Sequence, residues 1–61
     1  MKYSEVKKLL KKNGCYMVRE GTNHERWYSP KTGKTFSVSR HNSQDAKSGT
    51  LKSILRDAGL E

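Results

Sequence analysis

The chain contains two histidines, His24 and His41, and each has a cation and small polar groups near it in sequence. Gly21-Thr22-Asn23 leads into His24, and Ser39-Arg40 into His41. Histidine exchanges protons near neutral pH without help from a metal. RNA is a substrate for which that suffices, because RNA carries its own nucleophile. A base can take the proton of a 2′-hydroxyl, which attacks the adjacent phosphorus, while an acid protonates the departing 5′-oxygen. A lysine or arginine nearby would stabilise the extra negative charge at phosphorus. Two surface histidines flanking a simple phosphate-binding patch would leave the same pattern, so residue type alone keeps both readings open. Cys15 and the two histidines have no zinc-ligand spacing, and the glycines form no phosphate-loop pattern. No metal and no cofactor is therefore expected. Cys15 reads as a core filler rather than a nucleophile.

The elements that must position the histidines are legible from periodicity. Tyr3 to Lys12 reads as a helix, with Ser4 as its N-cap, Val6, Leu9 and Leu10 as its apolar stripe, and Asn13-Gly14 as a left-handed stop. Lys7, Lys8, Lys11 and Lys12 form either a solvated face or a stripe that meets phosphates. Cys15 to Arg19 and His24 to Tyr28 read as strands separated by the Glu20–Asn23 turn. Pro30-Lys31-Thr32-Gly33 is a turn, after which Lys34 to Ser39 alternates, with Phe36 and Val38 on one face. Arg40 to Lys47 is polar and loop-like, and Ser48 opens a second helix whose apolar stripe is Leu51, Ile54, Leu55 and Ala58, with Gly59 as its stop. The order is α-β-β-β-α. It implies an α+β fold: a three-stranded antiparallel sheet with two helices on one face.

That order brings the histidines together. If Pro30 to Gly33 form the turn, Ser29 faces Lys34 and His24 faces Ser39. His41 then lies about 7–9 Å from His24 at the same end of the sheet. Tyr16, Trp27 and Tyr28 could stack on bases or could serve the core; the sequence leaves that choice open.

Composition narrows the class further. Sixty-one residues allow a single domain, residues 1–61, with at most one layer of helix on one sheet. Thirteen Lys and Arg against six Asp and Glu give a net charge of +7. The pI is about 9.9 and the mean hydropathy −1.02. Such a density of positive charge points to a polyanionic partner. Nothing approaches the ~20 apolar residues of a membrane span, and no apolar run follows Met1-Lys2 as in a secretory signal. A cytoplasmic location without membrane contact is expected. One cysteine excludes an internal disulfide.

The assembled chain resembles the HicA-type (YcfA-like) mRNA interferase toxins of type II toxin–antitoxin systems, over nearly its whole length. The marks are Lys11-Lys12-Asn13-Gly14, Arg19 before Gly21-Thr22-Asn23-His24, Pro30-Lys31-Thr32-Gly33, and Val38-Ser39-Arg40-His41. The closing segment Gly49 to Leu60 is the most specific. The resemblance implies a fold like that of double-stranded-RNA-binding domains. It also implies an endoribonuclease that cleaves single-stranded mRNA, with His24 as the catalytic residue. A cognate HicB-type antitoxin would block the active site and carry the DNA-binding element, so contact with DNA is indirect. His41 matches a recurrent family position, suited to RNA contact or to supporting the catalytic group. Many relatives join Gly-Ser directly to histidine and have proline where Ser39 stands.

On this reading the RNA-binding candidates around His24 are Gly21, Thr22, Asn23, Lys34, Ser39, Arg40, His41 and Lys47. One histidine cannot perform both proton transfers at once, so His41, water or the leaving group's own basicity must assist. The alternative is a noncatalytic RNA-binding module of the same fold. It would want lysines clustered at the start of the second helix, where the chain has Asp45-Ala46-Lys47-Ser48-Gly49. A third possibility is a small interaction protein whose basic face docks on an acidic partner.

Overall fold

The structure, a computed structural model, describes residues 1–61. Its elements run α1 (Tyr3–Lys12), β1 (Tyr16–Glu20), β2 (His24–Ser29), β3 (Lys34–Ser39) and α2 (Ser48–Ala58). The strands form one antiparallel sheet in the order β1-β2-β3. This is the expected α-β-β-β-α arrangement, with both helices on one face of the sheet.

Alternation along the strands assigns the two faces. In β2, Trp27 and Ser29 are buried and His24 and Arg26 are exposed; in β3, Phe36 and Val38 are buried and Thr35 and Ser37 exposed. The buried side chains meet Val6 and Leu10 of α1, Cys15, Ala46, and Ile54 and Ala58 of α2 in one core. Trp27 is the largest side chain fully buried there. It therefore belongs to the core and is unavailable for stacking on a base. Cys15 is buried in the same cluster, as a core filler should be.

The β2–β3 hairpin has the register that its turn dictates. Ser29 pairs with Lys34 and His24 with Ser39, and Gly33 takes φ 70° at the exit of the turn. The β1–β2 pairing is less regular. β1 starts and ends one residue later than its composition suggests, and a bulge between Met17 and Arg19 shifts the register. Bulges add twist and re-aim the side chains that follow. Here the residue re-aimed is Arg19, which pairs with Arg26.

Two features of α1 differ from expectation. The N-cap is Lys2 and not Ser4, and the Glu5 carboxylate reaches back to accept the Lys2 N–H at 2.9 Å. The free N–H groups of Tyr3 and Ser4 donate to the carbonyls of Gln44 and Asn42, 2.9 and 3.1 Å away. A remote segment thus replaces the local side-chain cap. Lys7 also leaves the row of solvated lysines. It is buried, and its ammonium bonds Glu25 Oε1 at 3.0 Å and Asn42 Oδ1.

The C-terminal end of α2 is closed by the hairpin turn. Gly59 has φ 79°, and the Gly59 and Leu60 N–H groups donate to the carbonyls of Arg56 and Leu55. The hydroxyls of Ser29 and Thr32 donate to the carbonyls of Ala58 and Asp57. A Cβ on Gly59 would lie 2.9 Å from Thr32 Cγ2. Replacing Gly59 with alanine is expected to cost about 1–2 kcal/mol for the left-handed backbone alone. For a domain of this size that lowers Tm by at least about 5 °C, which a thermal melt would read. An unchanged melt would mean that residue 59 does not hold the left-handed conformation in the folded protein.

Candidate active site

His24 opens β2 on the sheet face that the helices leave uncovered. Its placement depends on a two-residue loop, Thr22-Asn23. The Gly21 N–H closes that loop by donating to the His24 carbonyl at 2.8 Å. A Cβ on Gly21 would stand 2.9 Å from that oxygen, so only glycine fits there without the loop shifting. Arg40 fixes the loop from outside. Its Nη1 donates to the carbonyls of Gly21 and Thr22, both at 3.1 Å, and its Nη2 pairs with Glu20 Oε1 at 3.1 Å. The Arg40 N–H also donates to the Asn23 carbonyl.

A cleft of about 510 Å³ opens beside the histidine, lined by Arg19, Gly21, His24, Glu25, Arg26 and Ser37. Arg26 lies across β3 on the open face, with Nη1 donating to Ser37 Oγ at 3.0 Å and Nη2 to Thr35 Oγ1 at 3.2 Å. Arg19 stands directly opposite Arg26. Like charges facing each other across a strand pair destabilise a sheet, unless an anion comes between them. The pair beside a histidine is thus suited to hold a phosphate.

Behind the cleft the helix-covered face is strongly polar at one point. Glu25 Oε1 accepts from Trp27 Nε1 and Lys7 Nζ, each at 3.0 Å. Burial by itself raises the Glu25 pKa. The hydrogen bonds from Trp27 and Lys7, with the positive charges of Lys7 and Arg40, outweigh it and hold the carboxyl below its ordinary value. Glu25 therefore stays charged, and through Lys7 it ties α1 to the segment carrying Asn42.

The expected site residues separate into groups. Gly21, Thr22, Asn23 and Arg40 surround His24 as loop and loop-holder. Ser39 is the cross-strand partner of His24 and accepts the His41 N–H at 3.1 Å, so His41 follows at the same end of the sheet. Lys34 stands at the other end of β3, about 16 Å along the strand from Ser39. Lys47 occupies the N-cap position of α2 without a side-chain capping bond, and neither it nor His41 lines the cleft. Arg19, Glu25, Arg26 and Ser37, which do line it, lie outside the set of expected site residues. Arg26 was findable, since a residue two beyond His24 in a strand shares its face. Arg19 was not, because the bulge decides its direction.

No curated protein and no solved structure matches the chain. A family model does, described as the HicA toxin of bacterial toxin–antitoxin systems, and it matches residues 3–60. Nearly the whole chain, including every element of the fold and every residue of the cleft, falls within that match: the protein belongs to the HicA toxin family, and its partner is an antitoxin.

Proposed function

We propose that this toxin is an mRNA interferase, a metal-independent endoribonuclease that cuts single-stranded mRNA and so stops translation, and that a HicB-type antitoxin neutralises it by covering the open sheet face. The observation that carries the reading is the cleft that His24 shares with Arg19 and Arg26, which are cross-strand partners on the open face. Arginine fits phosphate oxygens in a fixed fork and remains charged throughout.

The reaction follows from that arrangement. The scissile phosphate sits between Arg19 and Arg26, and His24 takes the proton of the neighbouring 2′-hydroxyl. The 2′-oxygen attacks phosphorus, the bond to the 5′-oxygen breaks, and that oxygen leaves with a proton from His41 or water. The products are a 2′,3′-cyclic phosphate and a 5′-hydroxyl end. The arginines contribute most when charge accumulates on the phosphorane oxygens.

The test is incubation of the protein with a long single-stranded RNA in EDTA, followed by analysis of the ends. Cleavage leaving cyclic phosphate or 3′-phosphate ends is the expected result. Intact RNA bound by a folded protein would favour a noncatalytic RNA-binding module instead. Affinity for a non-cleavable RNA should fall log-linearly with salt. Removing one phosphate-binding cation should make the slope shallower by about 0.7 for a single strand. Arg26→Ala, measured by titration at several salt concentrations, is expected to show that reduction; an unchanged slope would remove Arg26 from the phosphate site.

A further inference from the structure

The open face of the sheet extends beyond the cleft, and its far part carries aromatic rings. Tyr16 and Tyr28 face each other across β1 and β2, with ring centroids 5.6 Å apart and planes tilted by 55°. Tyr16 is 51% exposed, although the core of this small chain holds only one tryptophan and one phenylalanine. A domain with so little apolar material gains by burying its large rings. Two of them on an uncovered face call for a ligand.

The charge of that face indicates which ligand. The strands contain two carboxylates, Glu20 and Glu25, and both lie on the opposite face, paired with each other in register and bonded to Arg40 and Lys7. The open face presents Arg19, Arg26 and His24, the hydroxyls of Thr35 and Ser37, and the two tyrosines. Along β2, His24, Arg26 and Tyr28 follow at every second residue, about 6.6 Å apart, comparable to the repeat of an extended polynucleotide. A proton-transfer group, a phosphate-binding guanidinium and a stacking ring thus line up along one strand.

We propose that Tyr16 and Tyr28 form a base-stacking subsite that holds a nucleobase of the RNA near the scissile phosphate, with Arg26 bridging subsite and reaction centre through the intervening phosphate. This rests on the ribonuclease reading for its link to cleavage, but not for RNA binding itself. Stacking is sequence-tolerant, since every base offers a π-face. The subsite therefore biases the position of the cut toward strongly stacking bases without imposing a strict sequence.

The test uses Tyr16→Ala, Tyr28→Ala and Tyr28→Phe, each checked by circular dichroism and thermal melting. Binding of a fluorescent 2′-O-methyl oligonucleotide, which cannot be cleaved, is followed by anisotropy, and cut positions are mapped on a natural RNA. Each alanine variant should weaken binding by about fivefold to a hundredfold. Tyr28→Phe should bind like the wild type, since its ring survives and only the hydroxyl is removed. Cut positions should shift in the alanine variants and stay in place in Tyr28→Phe. Tyr16→Ala guards against misfolding, because Tyr16 is largely exposed. If folded alanine variants bind and cut as the wild type does, the subsite is overturned while the ribonuclease reading stands. If the wild type cuts nothing but its binding depends on the rings, the ribonuclease reading fails and the subsite stands. If the alanine variants lose only antitoxin affinity, the rings serve a protein interface and the proposal is overturned.

Discussion

Replacing His24 with alanine is expected to lower the RNA cleavage rate by about 10²–10⁴-fold, the range attributed to a positioned proton-transfer group. Folding should be nearly unchanged. The side chain is exposed at the start of β2, and the core is built without it. Substitutions at such surface positions change stability by about 0.5 kcal/mol or less. The loop depends on the backbone of residue 24, whose carbonyl accepts the Gly21 N–H, and alanine retains that carbonyl. His24→Asn sharpens the test, since it keeps a polar group of similar reach but cannot shuttle a proton. Both variants should bind RNA with nearly wild-type affinity, because Arg19 and Arg26 remain. Single-turnover cleavage and a melt of each variant decide the matter. A folded His24→Ala protein that cleaves at the wild-type rate would move the chemistry to another group, with His41 next in line.

Much of this was legible in the sequence, for identifiable reasons. With Pro30 to Gly33 as the turn, Ser29 stands opposite Lys34, and the pairing of His24 with Ser39 follows by counting along the two strands. The alternation of Phe36 and Val38 leaves one choice for the buried face of β3. What escaped depended on contacts between remote segments. Lysine in a row of lysines reads as solvated, and nothing near Lys7 signals that Glu25 and Asn42 will surround it. Ser4 has the right type for an N-cap, but carbonyls from residues 42 and 44 take that role. Arg19 and Arg26 belong to the cleft because a bulge and a cross-strand pairing place them there. Lys34 looked well placed for RNA as a cation in a strand, yet the hairpin register sets it far from His24.

The second large effect is expected at Lys7 and Glu25. Their side chains are 10% and 14% exposed, so the pair is close to buried. Removing one partner of a buried ion pair costs about 3–5 kcal/mol, because the other charge is left without compensation. A chain of this length has about 3–9 kcal/mol in total. Lys7→Met or Glu25→Gln should therefore consume much or all of its stability. The double variant Lys7→Met with Glu25→Leu should recover part of that loss, since it leaves no orphaned charge. Strict additivity of the two single effects in denaturant titrations would show that the pair is not coupled. The acid side offers an independent check. The Glu25 carboxyl lies below its ordinary value of 4.5 when folded, so the unfolded chain takes up its proton first as pH falls. The contribution of Glu25 is fully present above the ordinary carboxylate range and is lost as pH drops through the lowered folded value. Wild-type stability should thus rise with pH across that window. Glu25→Gln has no such proton to bind, and its slope there should be shallower. The same network adjoins the site, since Glu25 follows His24 in β2 and Lys7 holds Asn42 next to His41. Under conditions where the single variants remain folded, they should still cleave RNA more slowly than the wild type, because the segments bearing the two histidines are no longer fastened to the same helix.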